Sequence, residues 1–244
     1  MLVDQALRRI VAVIDQALHL GVDALVGERH LVVQQLQPHG QAALAGAEKR
    51  VQDAEVAWQA AQGGTPEAIL AASRQVDLYD LQYGRVYEHG ICMLPEGTRI
   101  RELHQRARTA AAEIIARGGA VVGSPDVALV DAAGAEINAA VHAAVADVLQ
   151  QGKIPVVVGG DHSVPFGAIR ACAERHPGLG ILHVDAHADL RVAYEGFRWS
   201  HASIMDNVLR EVPQVARLVQ VGIRDFCEQE LDSIRGSEGR VVTH

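Results

Sequence analysis

Two short apolar runs in the second half of the chain each lead directly into a cluster of polar residues. Ile154–Val158 is followed by Gly159–Ser163, and Gly180–Val184 is followed by Asp185–Asp189. The intervening Val164–His176 has the length and pattern of one helix. Short β-branched runs that flank a helix predict a βαβ unit, with two parallel strands and a right-handed crossover. Ligands of such sheets bind beyond the carboxyl ends of the strands, where both polar clusters lie.

Strands and helices alternate from residue 120 onward, and further elements are predicted before that point. The pattern predicts helices over Ile100–Arg117, Ala132–Gln151, His201–Val212 and Cys227–Ile234, buried strands over Val215–Val221 and Arg240–Thr243, and short strands over Val76–Tyr79 and Ala120–Val122. Together these elements predict the α/β class with a mostly parallel sheet.

Residues 1–64 predict a helical N-terminal segment instead. Apolar residues recur at helical spacing between Leu7 and Leu18, and Gln41–Gln62 is rich in Ala, Gln and Glu with a thin apolar face. Such a face is typical of a solvent-exposed or oligomer-facing helix. Gly63-Gly64 interrupts the pattern and Thr65-Pro66 begins a new helix, so we place a domain boundary there, with a second domain over 65–244.

The composition excludes several classes of protein. The 244 residues are 49% hydrophobic and 21% charged, as in soluble globular proteins, and no apolar run reaches the about 20 residues that a spanning helix needs. We see no signal peptide, and three irregularly spaced cysteines form neither a disulfide framework nor a zinc motif, so we expect a reducing cytoplasm. The net charge of −8 argues against a nucleic-acid partner.

The two polar clusters contain the side chains that bind divalent metal ions. Asp185, His187 and Asp189 are spaced i, i+2, i+4, which in extended backbone places all three on one face. The neighbouring strand end offers His162, beside Asp161 and just after two glycines. A carboxylate-rich set with imidazoles suits a hard or borderline ion such as Mn²⁺. A carboxylate able to bridge suggests two ions, whose shared hydroxide would be the nucleophile.

Each of these residues also has a purely structural interpretation. A single histidine at a strand end is usually a hydrogen-bonded core residue, an Asp after Gly-Gly is often only a turn or cap residue, and Ser163 is a natural helix cap. For the two clusters together this interpretation fails. Burying three carboxylates and two imidazoles without a cation costs several kcal/mol, on the order given for each uncompensated charge.

The same residues resemble the signature motifs of the ureohydrolases, the arginase and agmatinase family. Gly159–Ser163 and Asp185–Asp189 are similar to the first two metal-binding motifs of that family, and Trp199–Ser203 is similar to the loop that holds its substrate-side histidine. Gly222-Ile223-Arg224 resembles a further, less specific strand end. The resemblance covers about Gly97–His244 and implies a three-layer α/β/α fold with two manganese ions.

The resemblance also implies a role for each matched residue. His162, Asp185 and Asp189 would bind one ion, Asp185 would bridge to the second, and His187 would bind that second ion. His201 would deliver a proton. Asp161 and His183 are the residues available to orient these groups, although for His183 we prefer a packed strand residue.

Two departures from the family pattern bear on activity. The third family motif, which supplies two more aspartate ligands, should follow Arg240–Thr243, and the early family strand is not recognisable in residues 1–70. We expect that the chain is C-terminally incomplete rather than degenerate, since it stops inside a strand pattern.

The resemblance implies hydrolysis of the C–N bond of a small guanidino compound. Asp189-Leu190-Arg191, Tyr194-Glu195-Gly196 and the loop before His201 look more like agmatinase than arginase, which implies agmatine as substrate and putrescine and urea as products. Formimidoylglutamase and other guanidino-acid hydrolases stay open. So do a non-catalytic paralogue with an incomplete site and a deacylase with one Zn²⁺. We expect a homo-oligomer with no membrane partner.

Overall fold

The computed structural model describes residues 66–121 and 123–244, which fall into two compact units with a boundary between Gly97 and Thr98. The predicted helices of residues 1–64 lie outside the described residues. The first described unit contains helix α1 (Pro66–Ser73), a 3₁₀ turn (Val86–His89) and an isolated bridge between Asp80 and Gly84. The strand predicted over Val76–Tyr79 was wrong, since these residues are irregular.

The second unit, Thr98–His244, has the alternating order of an α/β protein. Its elements are α2 (Thr98–Ala116), α3 (Pro125–Gln150), α4 (Phe166–Arg175), β1 (Leu179–Val184), α5 (Ile204–Glu211), β2 (Val215–Val221), α6 (Glu228–Gly236) and β3 (Val241–Thr243). The three strands form a parallel sheet in the order β1-β2-β3. The predicted α/β class with a parallel sheet is therefore confirmed.

One face of this sheet carries the hydrophobic core. Ile181, Leu218 and Val241 are register partners on neighbouring strands, and they lie in one apolar cluster with residues of α4 and α5 such as Phe166 and Val208. On the other face, side chains are less covered: Leu182 is 36% and Val221 39% exposed. The core thus fixes the strand ends that carry the predicted site.

Arg240, just before β3, binds backbone carbonyl groups between the end of α5 and the start of β2. Its guanidinium donates hydrogen bonds to the carbonyl oxygens of Leu209 (2.8 Å), Val215 (2.9 Å) and Val212 (3.4 Å). The last carbonyl groups of a helix have no partner within the helix and carry partial negative charge. A cation that donates hydrogen bonds to them therefore stabilises the helix end.

The helix boundaries follow the punctuation of the sequence with small shifts. α3 begins at Pro125, several residues before the predicted start, because Ser124 and Pro125 provide a favourable first turn. It ends at Gln150, two residues before Gly152, whose φ is +70°. The first turn of the helix predicted from His201 is a 3₁₀ turn, and α5 begins at Ile204. None of the described helices is both long and apolar enough to cross a lipid bilayer.

The strand predicted over Ile154–Val158 was wrong. The run has no regular secondary structure and joins no sheet within the described residues, and Ile154, Val156 and Val158 are 42–53% exposed. A strand needs a neighbour for its backbone groups, and Pro155 has no N–H to offer. Ala120 and Val121, predicted as a short strand, are likewise irregular, and Val122 lies outside the described residues.

Candidate metal centre

Three of the four predicted metal ligands meet beyond the carboxyl end of β1. His162 Nδ1 lies 2.6 Å from Asp189 Oδ2 and 3.2 Å from Asp185 Oδ2. With His183, these residues offer one donor atom each within 4.8 Å of one another. The convergence that we predict from two separate sequence motifs is therefore present in the structure, although the strand expected before His162 is not.

A short turn before α4 sets the position of His162. Asp161 Oδ1 accepts hydrogen bonds from the backbone N–H of Ser163, at 2.8 Å, and from its hydroxyl group. This Asx turn reverses the chain around His162. Gly159 has no Cβ and therefore leaves room for this turn. A Cβ at that position would come within 2.5 Å of the Val164 side chain. Asp161 is exposed, and its observed contacts are those of a turn residue.

Asp189 reaches the site through an unusual backbone conformation. Its φ is +55°, in the left-handed region that non-glycine residues rarely adopt, and the residue is only 3% exposed. Its carbonyl oxygen accepts the N–H groups of Met205 (3.0 Å) and Asp206 (3.3 Å) in the first turn of α5. Such strain costs on the order of 1–3 kcal/mol and persists where neighbouring structure enforces it, which is frequent at functional sites.

The carboxylate of Asp185 faces two sets of neighbours. Oδ2 lies on the buried side with His162 and Asp189, whereas Oδ1 lies 3.3 Å from His187 Nδ1 and accepts the backbone N–H of His187 at 2.9 Å. The side chain of His187 is 56% exposed, and its Nε2 is 3.9 Å from Asp225 Oδ2. His187 thus lies on the open side of Asp185, apart from the other three predicted ligands.

The charged groups of the buried side stabilise one another. Burial disfavours the charged imidazolium, but the carboxylates of Asp185 and Asp189 outweigh it and raise the pKa of His162 to about 10. Burial alone would raise the pKa of Asp185. The imidazoles of His162 and His183 and the N–H of His187 more than offset this and hold that pKa well below its ordinary value. The cluster therefore stabilises negative charge on the Asp185 carboxylate.

His183 is buried on β1 and contributes a nitrogen to the same cluster. It is 3% exposed, and its Nδ1 lies 3.0 Å from Gln220 Nε2. Its Nε2 is buried without a hydrogen-bond partner, 3.4 Å from Asp185 Oδ2. The sequence predicts His183 as a packed strand residue and Asp185 as a ligand, and the structure places them side by side.

A pocket of about 170 Å³ opens beside the cluster and brings in His201. Its lining consists of His187, Asp189, Arg191, Tyr194, His201, Ala202, Asp225 and Glu230. The ring of His201 meets that of Tyr194 edge-on, with 5.9 Å between centroids. The 3₁₀ turn that carries His201 begins at Ser200, whose hydroxyl oxygen accepts the N–H of Ala202. His201 and two predicted ligands thus share one cavity.

Sequence reasoning missed Glu230 on the wall of this pocket and the contact of Arg191 with it. Glu230 is 2% exposed and accepts the backbone N–H groups of Leu190 (3.0 Å) and Cys227 (2.8 Å). Arg191 lies 3.5 Å from the Glu230 carboxylate and 5.0 Å from the centre of the Tyr194 ring. A glutamate in the first turn of a short helix gives no signal of burial, because such residues usually favour exposed helix starts.

The donor set fits a divalent cation. Two carboxylates share one imidazole nitrogen, so even with His162 protonated the buried side keeps uncompensated negative charge, which is costly away from water. A metal ion removes that cost and replaces the proton. The mixture of carboxylate oxygens and imidazole nitrogen suits Mn²⁺ or a similar ion rather than a soft, thiolate-binding metal.

Several proteins of known activity resemble parts of the chain. It is 46% identical over 85 residues to agmatinase from Bacillus subtilis, 40% over 91 residues to proclavaminate amidinohydrolase from Streptomyces clavuligerus and 43% over 82 residues to mitochondrial arginase from Medicago truncatula. These matches cover 33–36% of this chain. The chain spans 29%, 29% and 24% of those three proteins, respectively.

Solved structures with similar regions include two of the same proteins. Arginase from Medicago truncatula is 32% identical, with 48% of this chain and 38% of that chain covered and a TM-score of 0.42. Proclavaminate amidinohydrolase from Streptomyces clavuligerus is also 32% identical, with 43% and 35% covered and a TM-score of 0.36.

A family model matches a longer part of the sequence than these individual proteins do. The arginase family model matches residues 51–244, which include both polar clusters and the loop of His201. Since this match spans most of the chain, the protein belongs to the arginase family.

Proposed function

We propose that the cluster around Asp185 holds two Mn²⁺ ions and that the protein hydrolyses the C–N bond of a guanidino compound. The observation that carries the proposal is the two-sided environment of Asp185. One oxygen faces His162 and Asp189, and the other faces His187. A carboxylate with donors on both sides is the arrangement that a bridged pair of ions requires.

The residues divide between two ion positions. His162, Asp189 and Oδ2 of Asp185 would hold one ion, whereas Oδ1 of Asp185 and His187 would contribute to the second. When bound, the ions supply a nucleophilic water at neutral pH and compensate the charge that develops on the reacting group. Asp161 supports this set indirectly through the turn that orients His162.

The pocket supplies the groups that act on the substrate itself. His201 is an exposed imidazole on the wall that also carries His187 and Asp189, which supports the proposal that it delivers a proton to the departing amine. The Tyr194 ring lies edge-on to the His201 ring, on the same wall of the pocket. The exposed carboxylate of Asp225 adds negative charge near the opening, which favours a cationic substrate.

Agmatine is the first substrate that we propose, with putrescine and urea as products. The pocket residues Asp225 and Glu230 favour a cation, and the charge of Arg191 is partly compensated by Glu230. Arg191 nevertheless favours a second candidate, a guanidino or formimino acid, because its side chain lines the pocket, is 37% exposed and carries further guanidinium donors besides the nitrogen that faces Glu230. A cytoplasmic homo-oligomer stays a prediction.

Urea release from the Mn²⁺-loaded chain tests both activity and substrate. Agmatine, arginine and 4-guanidinobutyrate differ at the end that would face Arg191, so their kcat/KM values separate the two substrate candidates. The third motif, which supplies two more aspartate ligands in the family, is not among these 244 residues, so we expect Mn²⁺-dependent urea release, fastest with agmatine, from the chain completed with that motif. A completed chain that binds Mn²⁺ tightly and releases urea from none of the three would refute the hydrolase and support a non-catalytic paralogue.

A further inference from the structure

A buried polar ladder crosses the sheet and ends at the metal centre. Thr243, Gln220 and His183 are register partners on β3, β2 and β1. Gln220 is 0% and His183 3% exposed. Burying polar side chains in such positions costs free energy unless their hydrogen bonds are satisfied, so each member of the ladder needs hydrogen-bond partners.

The neighbours of Gln220 fix which way its amide points. Its Nε2 lies 2.7 Å from the carbonyl oxygen of Ala188, which accepts hydrogen bonds and cannot donate them. Its Oε1 accepts the hydroxyl group of Thr243 at 2.9 Å. The amide nitrogen is therefore the end that faces His183 Nδ1, at 3.0 Å.

This orientation determines the tautomer of His183. Because the Gln220 amide donates, Nδ1 of the imidazole must accept and is unprotonated, so the ring proton of the neutral imidazole is on Nε2. That nitrogen is buried without a partner and lies 3.4 Å from Asp185 Oδ2 and 3.8 Å from Asp189 Oδ2. The ladder thus presents a proton donor to the buried side of the carboxylates.

We propose that His183 is a positioning residue whose Nε2 proton faces the Asp185 carboxylate across 3.4 Å and stabilises it, and that does not bind metal, an inference that rests on the proposed metal centre. Its imidazole lies among the ligands, but Nε2 carries a proton and Nδ1 is engaged by Gln220, so neither nitrogen has a free lone pair. Partners of this kind hold a ligand at one orientation and raise metal affinity.

The tautomer is tested without metal by long-range ¹H–¹⁵N NMR on the chain labelled with ¹⁵N-histidine. His183→Phe identifies the signals by their loss. We expect an unprotonated Nδ1 and a protonated Nε2. Gln220→Glu, which exchanges the donor for an acceptor, should move the proton to Nδ1. The exposed Gln214→Glu makes the same change in charge before β2 and should leave the tautomer unchanged. A proton on Nδ1 in the parental chain would overturn the inference.

Calorimetric Mn²⁺ titration tests the role in positioning. His183→Phe keeps an aromatic ring but removes the donor and should weaken Mn²⁺ binding by about 10–100-fold at unchanged stoichiometry, the usual effect of losing such a partner. His183→Gln places an amide donor near the position of Nε2 and should restore most of the affinity. A lower number of bound ions in His183→Phe without rescue by His183→Gln would identify His183 as a ligand and refute the proposal.

The two possible failures are distinguishable. A parental chain that binds no Mn²⁺ refutes the metal centre, whereas a proton on Nδ1 refutes the ladder. The NMR experiment reads the tautomer in the unaltered, metal-free chain, and either His183→Phe or His183→Gln is enough to identify the signals, so one variant that does not fold leaves that result intact.

Discussion

Gly167 is the position where a single methyl group should displace the proposed metal centre without touching it. It lies in the first turn of α4, shortly after His162, and a Cβ there would come within 2.2 Å of the carbonyl oxygen of Asn138 and 2.8 Å of the N–H nitrogen of His142. Both belong to the backbone of α3, which has no rotamer to change. An ordinary contact of about 3.4 Å requires α4 to move away by about 1.2 Å.

The magnitude follows from two opposing effects. Overpacking against a backbone that does not yield costs up to about 3 kcal/mol, and alanine regains about 1 kcal/mol of helix propensity over glycine. We therefore expect Gly167→Ala to lower the free energy of unfolding by about 2 kcal/mol. For a chain of this length that corresponds to a decrease in Tm of about 4–8 °C.

Thermal unfolding and Mn²⁺ titration together provide the assay. The shift of α4 moves the turn that carries His162, so Mn²⁺ affinity should fall together with Tm. Gly236→Ala is the matched control, because a Cβ at Gly236, the last residue of α6, meets nothing within 4 Å. An unchanged Tm in Gly167→Ala would refute the close packing of α3 on α4.

Three further substitutions test the site and its support. Asp185→Asn should abolish tight Mn²⁺ binding because it removes the shared charge, whereas the exposed Asp232→Asn should leave it unchanged; equal Mn²⁺ content in both, measured by elemental analysis, contradicts the bridging role. His201→Ala should lower kcat by about 10²–10⁴-fold with metal content retained, and the exposed His104→Ala should not; loss of metal in parallel contradicts a role in proton delivery. Arg240→Met should lower the free energy of unfolding in urea by about 2 kcal/mol, since its carbonyl partners lose a charged donor, and an unchanged midpoint contradicts a stabilising role for these hydrogen bonds.

Sequence patterns predicted those parts of the fold that depend on local chemistry. β2 and β3 coincide with apolar β-branched runs, and α3 ends just before Gly152. These features were predictable because burial and left-handed backbone are encoded by neighbouring residues. Ile154–Val158 has the same apolar signature but forms no strand, since pairing depends on a partner elsewhere in the chain. Hydrophobicity predicts which side chains avoid water, not which backbone accepts them.

The candidate site was predictable to a similar extent. The meeting of His162 with Asp185 and Asp189 follows from two motifs at adjacent points of an α/β order. The extended spacing that we expected for the second motif does not hold at Asp189, whose left-handed backbone turns it toward His162. The pairing of His183 with Gln220 depends on strand register, which no local pattern specifies.

The buried carboxylate of Glu230 connects α6 to the segment that follows β1 through hydrogen bonds. One of its oxygens holds the first turn of α6 through Cys227, and the other holds Leu190, the immediate neighbour of Asp189. A mutation that tilts α6 therefore pulls on the peptide next to a proposed metal ligand. Substitutions in α6 would accordingly change the affinity of the proposed centre for Mn²⁺ without altering any of its ligands.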